Sequence, residues 1–310
     1  MSVTSSSTAG LVSDWEEWHA RREADLSVPY GWLSLTSFRW LSESAEPIAG
    51  FPGLWRTDGE RAVFSASAGD AVVQLRRGSA ESAEAAGAAG AGSAGSAAAD
   101  PSGADRPVDG ELSIAVPEGG SVNWLSAPAA VGAQPVVAEV ARRGGRYAIR
   151  LRDPQAATRV NFAGVPAFDV NPDWIVTGRF QPYPESRPVG TGTSRGDLNT
   201  EAATVGTVEF ELNGTSHALI ATGTAESGLT LSFYDRSNGN STAEWRFVGI
   251  GVPNPDGEVL IDFNRSINFP FSFTPYGTCP RPVASNVLPI AVTAGEKEAR
   301  TGDRQQNGTP

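Results

Sequence analysis

Short stretches of alternating apolar and polar residues, joined by tight turns, fill most of this chain and leave few folds open to it. In RYAIRLRD (146–153), Tyr147, Ile149 and Leu151 point one way and Arg146, Arg150 and Arg152 the other, because successive side chains of an extended strand face opposite sides. VGTVEFELN (205–213) sets Val208, Phe210 and Leu212 against Thr207, Glu209 and Glu211, and Asn213-Gly214 turns it into HALIATG (217–223). LTLSFYD (229–235) and AEWRFVGI (243–250) flank a turn through SNGN (237–240), and EVLIDFN (258–264) closes the series. Earlier strand-like runs lie between Phe51 and Arg77, at ELSIAV (111–116) and at PVVAEVARR (135–143). DWIVTGRFQPY (173–183) runs into a proline-rich loop containing Gly190, Gly192 and Gly196. No strand–helix–strand rhythm appears. The pattern predicts a mainly β protein of antiparallel sandwich or barrel-like sheets.

One helix precedes them. Ser13 and Asp14 offer N-caps, and Trp15, Trp18, Arg22 and Leu26 form a stripe at helical spacing that stops before Pro29 and Gly31. Residues 1–12 and 299–310 read as disordered tails around a folded unit over 13–298. Within it, a helix-plus-β part (13–125) and a β part (135–298) meet near 117–135. Residues 78–106 are Ala, Gly and Ser with no large apolar side chain, which predicts a disordered insertion.

Composition removes several functions. The net charge of −11, without an acidic block, argues against non-specific binding to nucleic acid or anionic membranes. A single cysteine allows no internal disulfide framework. The first residues show neither a basic nor an apolar leader segment, and no run reaches the roughly 18 apolar residues of a membrane helix. A soluble cytoplasmic protein is the expectation, with oligomeric state open. His19 and His217 are the two histidines, too few and too scattered for a zinc site, and no P-loop or dinucleotide fingerprint occurs, so neither metal nor cofactor is expected. GTSRG (192–196) matches the G-x-S-x-G nucleophile elbow, but a loop precedes it and a strand follows, where the elbow needs a strand and then a helix.

What remains is the stretch from Asp262 to Lys297, which holds Cys279, the one cysteine, and Lys297, the one lysine among 24 basic residues. Two readings stand side by side. In the first, a pocket closed by 262–297 binds an anionic small molecule. Arg150, Arg246 or Lys297 holds the anion, Asp262 or Glu296 serves as acid or base, and Asn264 and Tyr276 orient the ligand. Asp262 and Asn264, two apart, share one face of the last strand. In the second, the segment is an extended proline-rich wrap fastened by Asn and Asp side chains, with Cys279 a small buried residue.

The same residues carry a resemblance. Asp262-Phe263-Asn264, Asn268-Phe269-Pro270, Pro275-Tyr276-Gly277-Thr278-Cys279-Pro280, Asn286-Val287-Leu288-Pro289 and Ala294-Gly295-Glu296-Lys297 resemble the closing motif of domain of unknown function family 1684. Trp18 to Leu26 with Arg22, Gly31-Trp32-Leu33, Arg150, Asp153 and Phe162-x-Gly164 are similar to its earlier parts, so the likeness spans about 14–298 without the insertion. The chain departs from the family at Phe271, where a second cysteine is common, and at Phe269 and Arg281. The resemblance implies a β-rich fold and no assigned activity. Three functions follow as expectations: small-molecule binding, a carboxylate-dependent hydrolase using Asp262 or Glu296, or a structural or protein-interaction module.

Overall fold

The structure, a computed structural model, describes residues 8–75, 105–130 and 134–299. The expectations for 1–7, 78–104 and 300–310, in the two tails and the insertion, lie outside the described residues. Helix α1 (Thr8–Leu26) comes first. Then follow β1 (Leu35–Trp40), β2 (Glu46–Ile48), β3 (Phe51–Thr57), β4 (Ala62–Ala66) and β5 (Val73–Gln74). The first half continues with β6 (Arg106–Pro107), β7 (Gly110–Ile114), β8 (Ser121–Ala127), β9 (Val136–Arg143) and β10 (Arg146–Arg152). A short helix, α2 (Ala157–Val160), leads into β11 (Ile175–Gly192), β12 (Asn199–Leu212), β13 (Thr215–Thr224) and β14 (Gly228–Phe233). The chain then runs through β15 (Arg246–Gly251), β16 (Glu258–Asp262) and β17 (Ile267–Asn268).

Among the described residues the strands form three antiparallel sheets and no closed barrel, so the mainly β reading holds. One sheet has the order β1-β10-β9-β8-β5-β6, and a second β2-β3-β4-β7. These two share a core in which Trp55 and Phe64 of the smaller sheet meet Leu125, Val140, Ile149 and Leu151 of the larger. The third sheet runs β16-β11-β12-β13-β14-β15-β17. Its apolar face is covered by irregular chain: Phe263, Leu288, Val292 and Ala294 join Val208, Leu219, Leu231 and Val248 in one cluster.

Three elements differ from expectation. Helix α1 starts at Thr8 rather than Ser13, because half-buried Leu11 extends the stripe of Trp15 and Trp18 by one turn. The joint expected near 117–135 carries β8 instead. Its last four residues are all buried, so no alternation marks it in the sequence. The proline-rich segment after Tyr183 belongs to β11 rather than to a loop. Pro182, Pro184 and Pro188 are tolerated because β16 pairs only with Ile175 to Arg179, which leaves the later residues on a free edge. The pairing with β12 also shifts register between Pro182 and Arg187.

The tip of the β11–β12 hairpin reaches the first half. Trp40 Nε1 donates to Asp197 Oδ2 at 2.7 Å, and the Arg195 guanidinium lies 4.2 Å over the Phe38 ring. Among the described residues no helix is long and apolar enough to cross a membrane.

Candidate functional site

The expected site residues fall into three places. Asp262 ends β16 and caps the turn Phe263–Arg265, so it and Asn264 do not share a strand face. Two residues suffice for an Asx cap and then break the strand. Asp262 Oδ1 accepts from the Asn264 backbone N at 3.0 Å and from its Nδ2 at 2.9 Å, and Oδ2 lies 3.4 Å from Arg265 Nε. Burial pushes the Asp262 carboxyl up against these stabilising contacts. The Asn264 side chain is spent on backbone: Oδ1 accepts from Asn171 N at 3.0 Å, and Nδ2 donates to Asn171 O at 2.9 Å.

The second place is centred on Arg246, which is fully buried. Nη1 donates to Ala294 O at 2.6 Å and Glu296 O at 3.0 Å, while Nη2 donates to Val292 O at 2.8 Å and Asp235 Oδ2 at 3.1 Å. Burial pulls this guanidinium below its ordinary value, and Asp235 and Glu296 oppose the shift. Asp235 Oδ1 in turn accepts from the backbone N of Ser237 and of Val292. The Glu296 carboxylate is buried too, held by Arg22 Nε at 3.2 Å and Asn268 N at 2.6 Å. Gly295 allows this path: at φ +75° a Cβ would stand 2.4 Å from Ser266 O. Lys297 points elsewhere, its Nζ 4.7 Å over the Phe168 ring.

The third place is the sandwich. Arg150 is buried beside Glu139, to which it donates, and Arg152 Nε donates to the other oxygen at 2.8 Å. Burial alone would raise the Glu139 carboxyl, but Arg150 and Arg152 outweigh it and hold it at about 2. Both guanidinium groups lie over the Trp32 ring, at 5.2 and 5.6 Å. Tyr276 is half-buried in the proline loop, its N donating to Thr274 Oγ1 at 3.4 Å.

Of the expected set, the fold joins Arg246 to Glu296 and Asp262 to Asn264. Arg150, Tyr276 and Lys297 engage other groups. Sequence reasoning passed over Asp235, Arg22 and Asn286 as site residues. Asp235 carries a signal in hindsight, a strand-ending Asp two residues before Ser237. Asn286 carries none, since its role depends on a gap between strands. Beyond Thr222–Thr230, β13 and β14 no longer pair, and the Asn286 amide fills the next step. It accepts from Ile220 N and donates to Ile220 O and Ser232 O, each at 2.8 Å.

Neither the cysteine nor the elbow serine is poised for chemistry. Ser194 Oγ donates to Gly277 O and accepts from Cys279 N, both at 3.1 Å, in a hairpin tip with no helix behind it. Burial raises the Cys279 thiol to about 12. Among the described residues no three His, Cys, Asp or Glu side chains converge as metal ligands. A groove at the β5–β8 edge, bounded by Ala71, Val73, Ser126 and Pro135, is lined by none of the expected site residues.

Residues 160–297 match the family model described as "Protein of unknown function (DUF1684)". That region is similar to the DUF1684 family. Helix α1 and the strands of the sandwich precede the match. An uncharacterized protein of Haloarcula marismortui with a solution NMR structure is similar at 27% identity, over 45% of this chain and 78% of its own, with a TM-score of 0.38. No curated protein matches the chain.

Proposed function

We propose that this protein is a structural and interaction module in which residues 262–297 act as an internal clasp. The observation that carries this is Arg246, whose two terminal nitrogens are spent on three wrap carbonyls and Asp235, while its Nε, without a partner, is buried away from solvent. The carboxylates named for hydrolysis support the same reading. Glu296 is neutralised by Arg22, and Asp262 caps a turn. The single cysteine suits a reducing, cytoplasmic compartment.

A second reading keeps an anionic small molecule at Lys297. This ammonium is partly exposed and has no carboxylate partner among the described residues. Thermal melting of Arg246→Met and Lys297→Met, with mass spectrometry of the purified protein for a copurifying metabolite, separates the two. The clasp predicts a large loss of melting temperature for Arg246→Met, no change for Lys297→Met and no metabolite. A bound anion lost in Lys297→Met would replace the clasp reading.

A further inference from the structure

Helix α1 lies outside the DUF1684 match, yet its directed contacts go to that region. Trp15 Nε1 donates to Asn264 O at 2.6 Å. Arg22 donates to Glu296 Oε1 at 3.2 Å and to Asn268 O at 3.1 Å. Glu23 Oε1 accepts from Val165 N at 2.7 Å, and Asp14 pairs with Arg265. Leu26 alone on the helix is buried. Polar and aromatic anchors therefore hold α1, where a core helix would be held by a broad apolar face.

We propose that α1 is a detachable strap whose docking sets the order of the closing segment, because it delivers the counter-charge of buried Glu296. This rests on the clasp reading. Glu296 is 1% exposed and Arg22 is its ion-pair partner; Arg246 also acts on it but is paired with Asp235, and a buried carboxylate that loses its paired cation is costly enough to move into water. With Arg22 withdrawn, Glu296 turns outward and takes with it the Ala294 and Glu296 carbonyls that Arg246 holds. The same step uncovers the aromatic cluster of Trp245, Phe269 and Phe271 against which Trp18 packs. The two states thus differ in exposed aromatic surface, a difference that a partner with an apolar face can read.

Hydrogen exchange on the full chain tests the coupling. In Arg22→Met, the amides of Asn268, Glu296 and Lys297, bonded to Glu296 Oε2, Ser266 O and Pro166 O, exchange about tenfold or more faster, while those of β9 and β10 keep their rates. Adding Glu296→Gln to Arg22→Met restores part of the protection, since a neutral amide needs no cation. Trp15→Phe, which loosens the helix without touching a charge, produces the same pattern more weakly. Faster exchange confined to α1 in either variant overturns the strap and leaves the clasp intact. An equal rise in β9 and β10 also overturns it. Failure of Arg246→Met to destabilise the protein would instead sink the clasp.

Discussion

The two halves of the molecule cover a sheet in opposite ways. In the first, a second sheet lies on the larger one, the strands bond to one another in ladders, and the shared core is apolar. In the second, irregular chain covers the seven-stranded sheet, and irregular chain has no ladder to absorb its N–H and C=O groups. Side chains take over. Arg246 collects three carbonyls, Asp235 receives two amides, Asn264 pairs with Asn171, and Asn286 fills a missing rung. A gathering of Arg, Asp, Glu and Asn in a proline-rich segment is thus what a sheet without a partner sheet requires. The one buried charge cluster on the sandwich, Glu139 with Arg150 and Arg152, lies on the face away from the apolar core.

Substitutions can break this contrast, beginning with the largest effect. Asp235→Ala leaves Arg246 buried without its carboxylate and should cost about 4 kcal/mol in denaturant unfolding. A loss below about 1 kcal/mol would mean that the wrap is held by its apolar residues alone.

Acid titration probes the sandwich side. The Glu139 carboxyl is lowered from 4.5 to about 2. Its contribution, about 3 kcal/mol by linkage, is present above the unfolded value and disappears as pH falls toward the folded one. Glu139→Gln should flatten the stability profile in that window, and an unchanged slope would contradict the assignment.

Asn286→Ala removes three bonds between wrap and sheet, and calorimetry should find a loss of about 2 kcal/mol. An effect near zero would show that water serves the broken rung equally well.

Asp262 has the opposite sign to Glu139. Its carboxyl is raised by burial, so its contribution is present at acid pH and fades as pH rises through the folded value. Asp262→Asn should therefore change neutral-pH stability by less than about 0.5 kcal/mol. A loss of several times that would make the charge itself structural.

The fold was readable where residue types alternate along an element, whether the polar face is wet, as in β12 and β13, or buried, as in β10 and β14. The stripe of α1 announces itself by period too. Strand β8 did not, because a bulge between Asn123 and Leu125 breaks its alternation, and the prolines of β11 read as loop because an edge is invisible in one dimension. The candidate site was half readable. Residue types and their rarity pointed to 262–297, but whether Arg150 meets Arg246 or Asp262 meets Glu296 is a matter of distance. Composition does not encode distance, and the same polar inventory suits a pocket or a clasp.

Cys279 gives the molecule an internal clock. Its thiol is buried with Trp245, Phe247 and Phe269, is bound to Ser194 only through the backbone, and is pushed up to about 12 by that burial, so a thiol reagent in solution meets no reactive sulfur while this cluster stays packed. With no second cysteine in the chain, each labelling event reports one opening of the cluster that Trp18 of α1 and the closing segment cover. The native sequence carries its own single-site reporter of that motion, and dyes attached at introduced surface cysteines would leave it silent.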